Sequence, residues 1–172
     1  MDNKVINSLP IFKSFSPDQV KLIEPLMEFC SFPADMVIFQ QGDQAEYFYI
    51  LTSGEIALHF KPYDGPSLVI TKISSGGVFG WSAALNRAAY NAAAVTIKEI
   101  TAIRMEAIKL KKLCATDPET TFLFLESLVA IISDKLKVSH QEILNLINQG
   151  MNLNGDCGRR MDLDGNKSRI YA

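Results

Sequence analysis

Gly76-Gly77-Val78-Phe79-Gly80-Trp81-Ser82-Ala83-Ala84-Leu85, followed after four intervening residues by Tyr90-Asn91-Ala92-Ala93-Ala94-Val95, is a loop of small residues set among hydrophobic runs. Glycine and alanine let a backbone approach a ligand without side-chain obstruction, so the amides from Gly80 to Ala84 can converge on an anion. The stretch is otherwise bare of charge: Arg87 is its one charged side chain. On either side, from Phe29 to about Met105, short runs rich in Val, Ile, Phe and Tyr are separated by Gly42-Asp43, Ser53-Gly54, Asp64-Gly65-Pro66 and Ser74-Ser75-Gly76-Gly77. Turn signals this regular predict an antiparallel β sandwich or barrel. Residues alternate over Ser67–Ile73 and again over Ala94–Arg104, which fits strands with one face on a core. The whole reads as an α+β chain built on a double-sheet jelly roll.

Helices flank that barrel. Ser16-Pro17-Asp18-Gln19 combines a serine N-cap, proline at the first helical position and a glutamine placed for a capping box. Phe15, Val20, Leu22, Ile23 and Leu26 supply an apolar side, and Pro25 ends or kinks the helix. A short helix is predicted from Ala107 to Leu113, and Asp117-Pro118-Glu119 starts a long one. Its apolar positions include Phe122, Leu125, Leu128, Val129, Ile132, Leu136, Ile143, Leu146 and Ile147, near i, i+3, i+7 spacing. Such a stripe either packs on its own barrel or pairs with a second copy, and its length beyond Ile132 favours a pair. Ser139 interrupts the seam and argues against a long regular coiled coil.

Together with the loop, two further segments resemble the cyclic-nucleotide-binding domain family of catabolite-activator-like regulators, cAMP-dependent kinase regulatory subunits and gated channels. They are Phe32-Pro33-Ala34-Asp35-Met36-Val37-Ile38-Phe39-Gln40-Gln41-Gly42-Asp43 and Glu46-Tyr47-Phe48-Tyr49-Ile50-Leu51-Thr52-Ser53-Gly54-Glu55-Ile56. The resemblance covers roughly Leu9 to Asn148. It implies that the loop is the family's phosphate-binding cassette and that the long helix carries the dimer contact and moves when ligand binds. It also implies a glutamate after the cassette glycine for the ribose 2′-hydroxyl and, nine or ten residues on, an arginine for the cyclic phosphate. Here Trp81 stands at the first position, and the count lands on Tyr90 or Asn91 at the second. A charge-assisted guanidinium–phosphate contact is worth roughly 1.5–3 kcal/mol, so its loss alone weakens binding about tenfold to a hundredfold.

Trp81 has two readings: it stacks on an altered ligand, or it fills the space a nucleotide would take. Arg87 likewise either swings toward a phosphate on the Gly80–Ala84 amides or is a solvated loop residue. The candidate ligand contacts are Phe79, Gly80, Trp81, Ser82, Ala83, Arg87, Asn91 and Ala92, and the candidate dimer residues are Leu125, Leu128, Ile132 and Leu136.

The rest of the chain narrows the function by exclusion. With 172 residues, 48% hydrophobic and 21% charged, it suits a globular domain. A net charge of −2 leaves no electrostatic footprint for nucleic acid or anionic membrane. No apolar run approaches the ~20 residues of a membrane span, and Met1-Asp2-Asn3-Lys4-Val5 lacks the character of a signal peptide. A cytoplasmic location is expected. Cys30, Cys114 and Cys157 lack metal-ligand spacing and are expected to be reduced, two of them as buried packing residues.

His59, His140 and the pairs Glu46/Asp43 and Glu55/Asp64 have no nucleophile or ligand partner at a diagnostic spacing, so no catalytic residue, metal or cofactor is expected. The domain is expected to occupy residues 1–148, with 149–172 a flexible tail shorter than the about 60–80 residues of a winged helix-turn-helix, so direct DNA binding is not expected. Asp162-Leu163-Asp164-Gly165-Asn166 lacks the ligands of a calcium loop. The expectation is a stand-alone regulatory module that senses a small ligand other than canonical cAMP, of anionic or nucleotide-like character, or acts as a dimerisation and docking unit. The alternative is an atypical cyclic-nucleotide binder that uses Arg87.

Overall fold

A computed structural model describes residues 3–134. Its strands are β1 (Met27–Phe32), β2 (Val37–Phe39), β3 (Tyr47–Ser53), β4 (Glu55–Phe60), β5 (Leu68–Ser74), β6 (Val78–Phe79), β7 (Ala93–Thr96) and β8 (Ile100–Glu106). They pair antiparallel in two four-stranded sheets, one ordered β1-β8-β3-β6 and the other β2-β7-β4-β5. This is the jelly roll that the turn spacing predicts. The run from Ala94 to Arg104 divides between β7 and β8, which lie in different sheets.

Local chemistry explains the joints. At the β3–β4 turn Gly54 has φ +87°, and a Cβ there would collide with the carbonyl oxygen of Glu99, so the turn is open only to glycine. Buried Thr96 ties the β1–β2 loop to β7: its Oγ1 donates to Pro33 O at 2.7 Å and accepts from Met36 N–H at 2.7 Å.

The helices are α1 (Asn3–Ser8), α2 (Pro17–Ile23), α3 (Trp81–Ala84), α4 (Ala107–Thr116) and α5 (residues 118–134). The capping box forms as read: Gln19 N–H donates to Ser16 Oγ at 3.3 Å, and Ser16 N–H donates to Gln19 Oε1 at 2.9 Å. α2 stops before Pro25 in a 3₁₀ turn over Glu24–Leu26. α4 runs three residues past the predicted Leu113. Asp117 then caps α5, its Oδ1 accepting from Thr120 N–H at 2.9 Å.

The core is shared between barrel and helices. Phe48 pairs with Met105, and Ile50 with Ile103, across β3 and β8. All four are fully buried, each contributing roughly 1.5–3 kcal/mol relative to exposure. Phe48 meets Phe124 of α5 edge-on at 5.6 Å.

Four expectations are corrected. Leu128 is fully buried in the chain's own core, as is Phe124, because α5 lays that face on β3 and its neighbours. The exposed side of α5 instead carries Phe122 and Val129, 69% and 54% exposed. Leu68, Val69 and Ile70 of β5 are all exposed, since β5 is an edge strand and only Ile73 of it reaches the core. Leu22 projects outward while Val20 and Ile23 are buried, and Cys114 is exposed near the end of α4. Leu136, Ile143, Leu146, Ile147, His140, Cys157, residues 162–166 and the expected tail lie outside the described residues. Among the described residues, no helix is long and apolar enough to cross a membrane.

Candidate ligand site

The segment after β6 is shaped by Gly80. It sits at φ +69°, and a Cβ there would lie 2.8 Å from Tyr47 O and 3.1 Å from the Tyr49 ring. The backbone passes this close to β3 only as glycine, and the left-handed residue turns it into α3. Inside the turn Ala83 N–H donates to Gly80 O (3.1 Å), Leu85 N–H to Trp81 O (3.0 Å), Asn86 N–H to Ala83 O (3.1 Å) and Arg87 N–H to Ser82 O (2.8 Å). The Ala83 amide is therefore already engaged, which reduces the set of Gly80–Ala84 donors available to a ligand.

Tyr90 is the second organising residue. Only 5% exposed, it stacks on Phe39 with ring centroids 3.7 Å apart and planes 15° from parallel. Its hydroxyl donates to Tyr47 O at 2.7 Å and accepts from Tyr47 N–H at 3.0 Å. The physical reason lies in the sheet: β6 pairs with β3 at Tyr49 and Ile50, so the backbone of Tyr47 lies beyond the end of that ladder. The phenol supplies the partner that a longer β6 would have provided. Burial pushes the Tyr90 phenol above its usual range, which keeps it neutral. Behind it, Tyr49 and Phe79 stack at 4.7 Å and 6° and continue the aromatic layer.

Between this layer and the β4–β5 hairpin is a cavity of about 250 Å³ lined by Phe39, Leu58, Phe60, Ile70, Gly80, Trp81, Ser82, Tyr90, Asn91 and Ala92. None of these side chains is charged. Other depressions differ in this respect: one of about 340 Å³ contains Lys13, Lys21 and Glu24, one of about 570 Å³ contains Lys61, and one of about 170 Å³ contains Lys111.

Of the residues predicted to contact a ligand, Gly80, Trp81, Ser82, Asn91 and Ala92 come together at the cavity. Phe79 and Ala83 are buried in the core. Ala83 also borders the 170 Å³ gap, which separates α3 from α4 and α5. Arg87 is exposed and lies outside the cavity's lining. Phe39, Leu58, Phe60, Ile70 and Tyr90 went unpredicted as cavity residues. Leu58 and Phe60 share one face of β4 by their spacing, but bringing Ile70 beside them depends on a register shift at Leu58/His59 in the β4–β5 pairing.

Residues 29–117 match the cyclic nucleotide-binding domain family. The chain is 21% identical over 145 residues to the CRP-like cAMP-activated global transcriptional regulator of Mycobacterium tuberculosis, an alignment covering 84% of this chain and 63% of that protein. It is 28% identical over 105 residues to the cAMP-dependent protein kinase regulatory subunit of Neurospora crassa, covering 61% and 26%. The chain thus spans less than two thirds of the length of these curated relatives. Among solved structures, a cyclic nucleotide-binding domain from Methylobacillus flagellatus superposes with a TM-score of 0.72 at 20% identity, covering 83% of this chain and 80% of that one. The Thermus thermophilus catabolite activator protein superposes with 0.63 at 23% identity, covering 81% and 63%.

Proposed function

The chain belongs to the cyclic nucleotide-binding domain family, and from that premise we propose that it is a regulatory, ligand-sensing module that does not recognise cAMP or cGMP in the family's manner. The observation that carries this reading is Tyr90. Where the family resemblance calls for an arginine at Tyr90 or Asn91, Tyr90 is buried, neutral and fastened by its hydroxyl to the Tyr47 backbone. Trp81, at the position of the family's acid, walls the cavity beside it. A cyclic phosphate entering there would lose its hydration and meet no cation among the lining side chains. Arg87 is the nearest candidate along the sequence, and its exposure outside the lining speaks against that role.

The relay from site to output is short. α3 has the cavity on one side, through Trp81 and Ser82, and the 170 Å³ gap on the other, through Ala83 and Ala84. Leu110 of α4 and Leu125 of α5 line the far wall of that gap. A ligand that fills the cavity and displaces α3 therefore acts on α5 directly, and it shifts the population of α5 positions by its differential affinity for them. Pairing of two copies through α5 is the matching output. Phe122 and Val129 are exposed seven residues apart, with Leu125 and Ile132 partly buried between and beyond them, the spacing of a paired-helix seam.

Emission from Trp81 tests the ligand half of this proposal, since it is the chain's single tryptophan. Titration with cAMP or cGMP to millimolar concentration leaves the emission unchanged. A saturable change with either nucleotide overturns the reading.

A further inference from the structure

Resting on the reading that this cavity holds the module's ligand, we propose that the ligand is an uncharged, compact, mainly apolar ring compound with one neutral hydrogen-bonding head, anchored at Ser82 Oγ. Three observations lead here. The first is charge: ten residues line the cavity and none is ionised at neutral pH, Tyr90 included. An anionic or cationic ligand would enter an apolar site without a counter-charge, and the desolvation would be unrepaid. A neutral body meets Phe39, Leu58, Trp81 and Ala92, with Phe60 and Ile70 forming an apolar rim.

The second is Ser82. It is 4% exposed, and its hydroxyl makes no hydrogen bond among the described residues. Ser82 lines the cavity, and among the described residues no buried side-chain oxygen or nitrogen is both sealed from solvent and unpartnered, so this hydroxyl is one that solvent reaches. A hydroxyl on the lining of an uncharged cavity suits a ligand head that donates or accepts a neutral hydrogen bond. Trp81, whose ring N–H is also unpartnered among the described residues, is another residue of the lining.

The third is size. The cavity is half open to solvent, and its about 250 Å³ exceeds the ~150 Å³ that holds benzene in an enclosed site, so it has room for a single-ring compound. Trp81 and the Phe60 ring offer the flat apolar surfaces that such a compound packs against.

Benzamide, benzoate and benzamidine test this directly, because they share one ring and one size and differ in the charge of the head. Binding is read from Trp81 emission excited at its red edge. Benzamide is expected to saturate the signal with an affinity at least tenfold above both charged analogues. Ser82→Ala should weaken benzamide about fivefold, the loss of one neutral hydrogen bond, while leaving ethylbenzene, which lacks a head, unchanged. Ala92→Leu, which fills the cavity from within, should remove the response to both. Equal or tighter binding of benzoate or benzamidine overturns the ligand class and leaves the sensor reading standing, as does an unchanged benzamide affinity in Ser82→Ala. Failure of all the probes to move Trp81 overturns the ligand class proposed here and leaves the sensor reading to its own nucleotide titration.

Discussion

Tyr90, one of the two positions at which the family resemblance calls for an arginine, instead holds strand β3 and closes the aromatic layer. Its hydroxyl meets both the N–H and the carbonyl of Tyr47. Tyr90→Phe leaves those two backbone groups without a partner while preserving the Phe39 stack. The expected cost is about 1–3 kcal/mol of unfolding free energy, read from the urea midpoint at unchanged slope. A loss below about 0.5 kcal/mol would mean that water satisfies Tyr47 equally well. The residue scale also shows what counting along the chain reveals and what it misses. Counting from Gly80 exposes the missing cation, because that is a matter of spacing. What replaces it depends on Phe39, fifty-one positions earlier, and no local pattern announces that stack.

Elements show a similar division. The capping box at Ser16 and Gln19 and the start of α5 at Asp117-Pro118 form as read, since both rest on contacts within four residues. The exposure of Leu22, Cys114 and β5, and the burial of Leu128, depend on which face of each element meets the barrel. Only tertiary packing decides that. One joint between elements titrates. Glu28 of β1 accepts from Lys109 Nζ of α4 at 2.9 Å and from Arg104 Nε of β8 at 3.1 Å. The hydrogen bond from Lys109, followed by that from Arg104, holds the Glu28 carboxyl below its usual range. A depressed carboxylate contributes stability above its unfolded pKa, and that contribution is lost as pH falls through the folded value. The melting temperature of the wild type should therefore fall more steeply below about pH 4.3 than that of Glu28→Gln. Parallel curves would show that the joint contributes nothing, as for many exposed ion pairs.

At the scale of the whole molecule, the regulatory reading requires an output surface, and α5 offers one. Phe122 and Val129 remain exposed although Phe124 and Leu128 on the opposite face are buried. Sedimentation should show a dimer for the wild type and a monomer for Phe122→Glu/Val129→Glu, the monomer still unfolding cooperatively because neither side chain belongs to the core. A monomeric wild type would remove pairing from the account. The central claim is that this chain keeps the family's barrel while replacing its nucleotide chemistry with a neutral, aromatic-walled cavity. Thermal unfolding with and without millimolar cAMP or cGMP, for the wild type and for Arg87→Ala, tests it most directly. A nucleotide at ~100 times its Kd would stabilise the fold by about 2.7 kcal/mol, a shift of several degrees. The account predicts no shift in either protein; a shift in the wild type that disappears in Arg87→Ala would contradict it and establish a rebuilt phosphate site.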